Sequence, residues 1–577
     1  MIKRPHAAQT KATRRHFAVA LALATAGWIV GLCAPAASAQ LQAQNVLVVY
    51  DSRIADSIAV AEYYAGSAAV SGGAGNLAGT RPGVRVFDLQ TAGTTAFTAT
   101  TIERAPFNAQ LRNPLRTWLA ANDSAGRIRV ITLTKGLPHR VENVGNVGVG
   151  DNPGQFGAVY NAGNINCASV DSELSLLWQN LDTSETGGGG DSKADGWILN
   201  PYWKQSLPIT SWRTVNRAVT KILTVPISAF ALGTGEAWGA NVANARLPAA
   251  ATQLTPGDIY LVCRIDGNTV AQVRQMLDRA ANAAAGPRAG VSVNINTAGF
   301  VLDESASNGI ADPSPNNGEY DNYGYDIIWN GDDYEQARAL LTIDNRFLAA
   351  NVKYDSLSNA ANFIVGSLVS FAGQGRIIET PAAPLPLLLL SSYGANHAGP
   401  APGEGIAGSP ICRTSYASSF TYAPGAVFNT MESYNGRGFG GIGTGGVAQQ
   451  QLSDFLAAGG TFGIGNVYEP STLTVGDSAL IVRNFHLGNL TWAEAAYTAL
   501  PVLSFQQIVV GDPLARFARS TEDRDGDAML TVNDLYLWNA SPADINRSGG
   551  AADETDRRFV QDAVRADRGV DMRGTQR

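Results

Sequence analysis

Short, nearly unbroken apolar runs of strand length recur along this chain, separated by segments whose apolar residues return every three or four positions. That alternation restricts the fold to the α/β class, because buried parallel strands read as continuous apolar runs and their crossovers as amphipathic helices. It predicts strands over residues 45–50, 128–134, 259–265, 363–371, 385–390, 426–430 and 461–466. It predicts helices over 268–284, 449–458 and 491–500. In the first of these, Val270, Val273, Met276, Leu277 and Ala280 form one apolar stripe suited to covering a sheet. Strand-to-helix loops in such folds gather at the carboxyl edge of the sheet, so candidate functional residues are sought there.

A length of 577 residues with 45% hydrophobic content suffices for more than one core. The first 39 residues carry five basic side chains and no acid, then an apolar run over 17–32 and the small-residue stretch Ala37-Ser38-Ala39. This is the pattern of a cleaved export signal, and Thr13-Arg14-Arg15-His16-Phe17 looks like a twin-arginine address. The mature chain is then periplasmic, cell-surface or extracellular, with no membrane span after cleavage. Its formal charge moves from −7 to −12, which disfavours nucleic acid as a partner. We divide the remainder into an N-terminal α/β subdomain, 40–252, a C-terminal one, 253–519, and an Asp-, Arg- and Asn-rich segment, 520–577.

Few residues are left for metal or thiol chemistry. Beyond the signal there are three cysteines and three histidines, scattered and without a CxxC or HExxH motif, so a structural zinc site is disfavoured. Cys263 sits within an apolar run and reads as a buried small hydrophobe. His139 and His486 read as structural.

The most specific local pattern is Asp523-Arg524-Asp525-Gly526-Asp527-Ala528-Met529-Leu530-Thr531-Val532-Asn533-Asp534. Calcium takes six to eight hard oxygens, and this spacing offers them from Asp523, Asp525, Asp527, the Met529 carbonyl, Thr531 and Asp534. Ala528 stands where such loops carry the glycine of their sharp turn. A second copy opens at Asp544, but Ser548 replaces an acid, and Asp553 and Asp556 arrive one residue late. The segment resembles a dockerin, or an EF-hand-like calcium loop. The resemblance implies bound Ca2+ and docking to a cohesin-like or cell-envelope partner.

Two strand exits stand out in the α/β region. One runs from Ser391 to Pro400 and carries His397; the other, Met431 to Phe439, carries Ser433. Neighbouring strands would bring both to one rim, where an imidazole and a hydroxyl make a base and nucleophile. His397 also fits a structural or ligand-contact role. Here the chain resembles the caspase and gingipain-like cysteine peptidases, on Gly394–His397, on Ser433-Tyr434-Asn435-Gly436, on Trp492-Ala493-Glu494-Ala495 and on Gly511-Asp512-Pro513-Leu514. The resemblance implies a caspase/gingipain-like three-layer sandwich with largely parallel sheets, to which the small helical calcium-binding module is appended. It also implies a peptide or protein substrate, His397 as base, and backbone amides near Asn435 and Gly436 as oxyanion donors. Ser433 replaces the family's cysteine, so the chain is either a Ser/His hydrolase or a relative that has lost catalysis. Glu404 or Glu432 would orient the imidazole. Over its length the chain is also similar to an uncharacterised exported bacterial family found with exosortase sorting systems. The segments carrying this likeness include Thr134-Lys135-Gly136-Leu137-Pro138 and Ser169-Val170-Asp171-Ser172-Glu173-Leu174.

Two further readings compete with the hydrolase: a non-catalytic surface or adhesion protein docked through its calcium module, and a component of polysaccharide degradation. Three polar details are set down as expectations. Lys135 reads as a lysine on a solvated turn, with an anion cradle as the alternative. Asp171 and Glu173 share a face if they lie on a strand and diverge on a helix. Asp266 reads as the cap of the following helix.

Overall fold

The computed structural model describes residues 41–142, 167–179, 198–213, 254–285, 298–303, 333–342, 347–355, 364–367, 375–392, 416–432, 434–439, 451–468, 475–488, 490–517, 524, 532–543, 545 and 551–567. Ten strands make one sheet. In chain order they are β1 (Val46–Tyr50), β2 (Arg85–Asp88), β3 (Val130–Thr134), β4 (Leu261–Ile265) and β5 (Gly299–Asp303). There follow β6 (Val352–Asp355), β7 (Leu387–Ser392), β8 (Tyr422–Thr430), β9 (Phe462–Asn466) and β10 (Gln507–Val510). Their order across the sheet is β6-β5-β7-β8-β9-β10-β4-β3-β1-β2.

All neighbours run parallel except β9 and β10, which pair antiparallel from Gly463↔Val510 to Asn466↔Gln507. The sheet is therefore two parallel halves of five strands pointing in opposite directions. The carboxyl ends of β1 to β4 and β10 form one rim, and those of β5 to β9 form the opposite one. Every residue of β1, β3, β4, β5, β7, β9 and β10 is buried, as expected of strands covered on both faces. The outermost strands, β2 and β6, are partly exposed and carry Arg85 and Lys353, charges that discourage edge-to-edge pairing.

Most of the apolar runs became the strands expected. The run at 363–371 did not join the sheet: Ile364–Val365 pairs instead with Arg376–Ile377 in a separate two-stranded sheet. The helix Val270–Ala285 buries Val273, Met276, Leu277 and Ala280, the stripe read from the sequence. The helix Trp492–Ala499 is buried on all sides rather than along a stripe, and a reciprocal capping box between Thr491 and Glu494 closes its start. Cys263 is fully buried, and burial pushes its thiol well above the ordinary value, which makes it inert. No helix among the described residues is long and apolar enough to cross a membrane.

The first rim is organised around one side chain. Arg264 on β4 is fully buried, pairs with Asp171 at 2.6 Å and donates to the carbonyls of Leu137 and Pro138 at 3.0 and 2.8 Å. A buried guanidinium is tolerated only when its donors are met, and these partners bring strand, loop and helix together. Asp171 and Glu173 lie on the short helix Val170–Ser175 and diverge, Asp171 to Arg264 and Glu173 to Arg104.

His486 lies in an aromatic cluster with Phe300, Phe485 and Phe517 and donates from Nε2 to the Leu388 carbonyl at 3.2 Å. Burial lowers its imidazole to about 4. The folded protein thus holds this group neutral, while the unfolded chain protonates near its usual value of about 6.5. Its contribution to stability is complete above pH of about 6.5 and is lost as pH falls towards about 4. Urea denaturation across that window should show His486→Gln with a flatter pH dependence than the parent; equal slopes would contradict this.

Candidate functional site

Parallel pairing of β7 with β8 sets Ser391 opposite Asn429 and Ser392 opposite Thr430, so the two strands leave the sheet side by side. On the other flank, Ser392 stands opposite Asp303 and Asp303 opposite Asp355. Asp355, Asp303, Ser392 and Thr430 thus form a row across four neighbouring strand ends. Asp303 is 1% exposed; its Oδ2 accepts the Ile364 amide at 2.7 Å, and its Oδ1 has no hydrogen-bond partner among the described residues. Burial, with repulsion from Asp355, raises this carboxyl well above the ordinary range. Burial likewise raises the Tyr416 phenol.

The turn that leaves β8 is fixed to the end of β9. The Asn435 side-chain amide donates to the Thr430 carbonyl at 3.1 Å and to its hydroxyl at 2.9 Å, while its Oδ1 accepts the Asn466 amide at 2.6 Å. Asn466 in turn donates from its side chain to the Glu432 carbonyl at 3.0 Å. Tyr434 sits at φ 57°, a conformation unfavourable for a bulky residue and held only by surrounding structure. A Cβ on Gly436 would lie 3.0 Å from the Gly465 carbonyl carbon, so only glycine lets the turn approach β9 this closely. His397 and Ser433 lie outside the described residues; the structure places the strand ends that carry them. One expectation is corrected: the Gly436 amide donates to the Asn466 carbonyl at 2.9 Å, so it is not free to hold an oxyanion.

A pocket of about 260 Å³ lies where the loops leaving β3 and β4 meet the end of the turn that leaves β8. Its walls include Lys135, His139, Arg140, Asp266, Arg437 and Phe439. Lys135 is not a solvated turn residue: its side chain is 12% exposed and donates to the Gly267 carbonyl at 2.7 Å, 3.6 Å from Asp266. Asp266 does not cap the helix that follows. Thr269 accepts the Gln272 amide at 3.2 Å in that role, and Asp266 faces Lys135 and, at 3.7 Å, Arg264. Desolvation competed with helix capping for this carboxylate, and paired cations prevailed. Burial still raises Asp266, against the pull of those cations.

His139 is buried and meets Phe439 edge to face. Its Nε2 faces the Arg437 carbonyl, which can only accept, so Nε2 carries the proton and Nδ1 is left as an acceptor. Burial, reinforced by Arg264 and Arg140, keeps this imidazole well below its ordinary value and so neutral at pH 7. Sequence reasoning did not find Arg140, Arg437 or Asp303 as members of either rim. Only the strand-end positions of Lys135, Asp266 and Asp303 signalled them.

In the C-terminal segment the loop-to-helix contact recurs. Asp534, fully buried at the start of the helix Val532–Ala540, accepts the Arg524 amide at 2.7 Å. Asp556, fully buried in the helix Glu554–Asp567, accepts the Ile545 amide at 2.8 Å. Each acid closes its loop onto the second residue after the loop begins, so the extra residue of the second copy is absorbed without losing that contact. Trp538, Ile545 and Val560 form a small core of their own. Asp523, Asp525, Asp527, Met529 and Thr531 lie outside the described residues, and no group of three or more metal-ligating side chains occurs among those described.

Comparison with known proteins adds little to this geometry. No family model and no curated protein matches the chain. A solved structure described as "Structure of Protease" is similar over 82% of this chain and 79% of its own, with 9% identity and a TM-score of 0.30. A likeness at that level carries no argument, and the fold rests on the strand order: a mixed α/β body with one large, mostly parallel sheet.

Proposed function

We propose that the chain is an exported hydrolase acting on peptide acyl bonds, with its reaction centre at the rim formed by β5 to β9. The observation that supports this reading best is the register of Ser392 with Thr430, which sets the exits leading to His397 and Ser433 on adjacent parallel strands. In this reading His397 takes the Ser433 proton as the Ser433 oxygen bonds to the acyl carbon. The same imidazole returns the proton to the leaving amine as the C–N bond breaks, and water then releases the acyl group by the reverse path. The hydrogen bonds of Asn435 to Thr430 and Asn466 fix the turn on either side of that position, which suits a nucleophile, because small misplacement costs rate steeply. Oxyanion donors come from groups other than the Gly436 amide.

The C-terminal segment, in the same proposal, binds calcium through Asp523, Asp525, Asp527, the Met529 carbonyl, Thr531 and Asp534, and docks the protein to a cohesin-like or cell-envelope partner. The loop closure by Asp534 fits a cation bound within the loop, since it brings the twelfth position back against the second.

A second reading, a non-catalytic surface protein held by its calcium module, is favoured by the commitment of the Gly436 amide to Asn466. A fluorophosphonate probe separates the two. The hydrolase gives a single adduct on Ser433 that disappears in His397→Ala, whereas a folded protein that takes no label is the binder. Calcium is checked independently by following Trp538 fluorescence during titration after chelation. We expect a saturable change, abolished by the pair Asp523→Ala and Asp527→Ala. A signal indifferent to calcium removes the metal from the proposal.

A further inference from the structure

The pocket beside β3 and β4 takes one wall, Arg437 to Phe439, from the far end of the turn that carries Ser433, and the hydrolase reading gives these residues no role. Lys135, Arg437 and Asp266 are among its lining residues. That carboxylate is already shared between Lys135 at 3.6 Å and the buried Arg264 at 3.7 Å. His139 adds no compensating charge, being neutral. Arg437 makes no ion pair with any described acid. Its guanidinium lies 5.1 Å from the Tyr434 ring centroid and 6.0 Å from that of Tyr468, and its Nε is buried without a hydrogen-bond partner. A half-buried guanidinium beside two rings, with its Nε unmet and no carboxylate paired to it among the described residues, is an arrangement suited to an anion.

Size and lining narrow the ligand. About 260 Å³ is below the usual range of about 300–1,000 Å³ for drug-sized molecules, so the occupant is small or is one arm of something larger. Leu137 and Phe439 give the pocket apolar walls, which suit an organic acid better than inorganic phosphate. The position agrees, since open α/β sheets take their ligands at the carboxyl ends of parallel strands, and both Lys135 and Asp266 directly follow such ends.

We propose that this pocket binds the carboxylate of a small acid with a short apolar or aromatic body, gripped by the Arg437 fork. The same carboxylate chemistry is offered by a free organic acid and by an acidic side chain of a peptide.

Isothermal titration of the full mature chain tests this with 3-phenylpropionate, its neutral amide, inorganic phosphate, and capped dipeptides bearing Glu or Gln. The acid should bind saturably, with the amide and the Arg437→Gln variant each weaker by roughly tenfold or more. Arg437→Lys, which keeps the charge and loses the fork, should fall between. If Arg437→Gln does not fold, the comparison of acid with amide on the parent chain decides alone. Saturable binding of the Glu but not the Gln dipeptide, with competition by the free acid, assigns the carboxylate to a peptide; binding of the free acid alone assigns it to a metabolite. Equal affinity for acid and amide, preference for phosphate, or no saturable binding at millimolar concentration by a protein with native circular dichroism would overturn the proposal. Because none of these readouts involves Ser433 or His397, failure here leaves the hydrolase reading where it stands.

Discussion

Antiparallel pairing between β9 and β10 is the contact on which the rest of the architecture depends. Parallel halves can be joined edge to edge only if one strand at the junction accepts neighbours running both ways, and β10 does so, antiparallel to β9 and parallel to β4. Residue choice makes the junction feasible. A Cβ on Gly463 or Gly465 would meet the Leu452 side chain at 2.3 or 2.8 Å, so the glycines let the helix Gln451–Ala457 settle against the seam. The indole of Trp492 donates to the Val510 carbonyl at 2.9 Å and ties the buried helix Trp492–Ala499 to the same place. With the halves opposed, two carboxyl rims result, and the turn after β8 reaches from one half to the loops of the other at Lys135 and His139.

The two rims handle buried charge differently. Around β4 the cations are met: Arg264 by Asp171 and two carbonyls, Lys135 by Asp266 and a carbonyl. Such networks add less to net stability than their number suggests, because desolvation offsets much of the attraction, but removing one partner leaves the other stranded. At the opposite rim the carboxyl of Asp303 is raised by burial instead of paired with a cation. Asp303 stands in register with Ser392, and burial makes it hold its proton to higher pH than an exposed carboxyl would.

Much of the fold was legible because continuous apolar runs such as Leu387–Leu390 have few destinations other than a covered strand. The strands that escaped prediction are informative. Arg85–Asp88 and Val352–Asp355 are edge strands with charged residues, so no apolar run marked them; Gln507–Val510 is too short to be distinguished from a loop; and the buried Gly299–Asp303 offers only three consecutive apolar residues between a glycine and an aspartate. Local rules also misjudged Lys135 and Asp266. A turn lysine and a helix-capping aspartate are the sound readings of their neighbours in sequence, and what overrode them was the meeting of Lys135 with Asp266, Gly267 and Phe439 from distant parts of the chain. Pairings of this range have no local signature. The candidate base and nucleophile were legible as strand exits, and the structure supplies the adjacency of those exits.

The placement of β10 has a mechanical corollary. This strand lies sixth of ten across the sheet, and the chain passes from it through Gly511 towards the segment that holds Asp534 and Asp556. Tension applied from that segment enters the body at its middle, where a strand must shear past neighbours on both flanks before it yields. A tether leading instead to β2 or β6 would peel the sheet open one hydrogen bond at a time. The polypeptide is therefore threaded so that a pull on its tail reaches the sheet at a central strand and not at an edge.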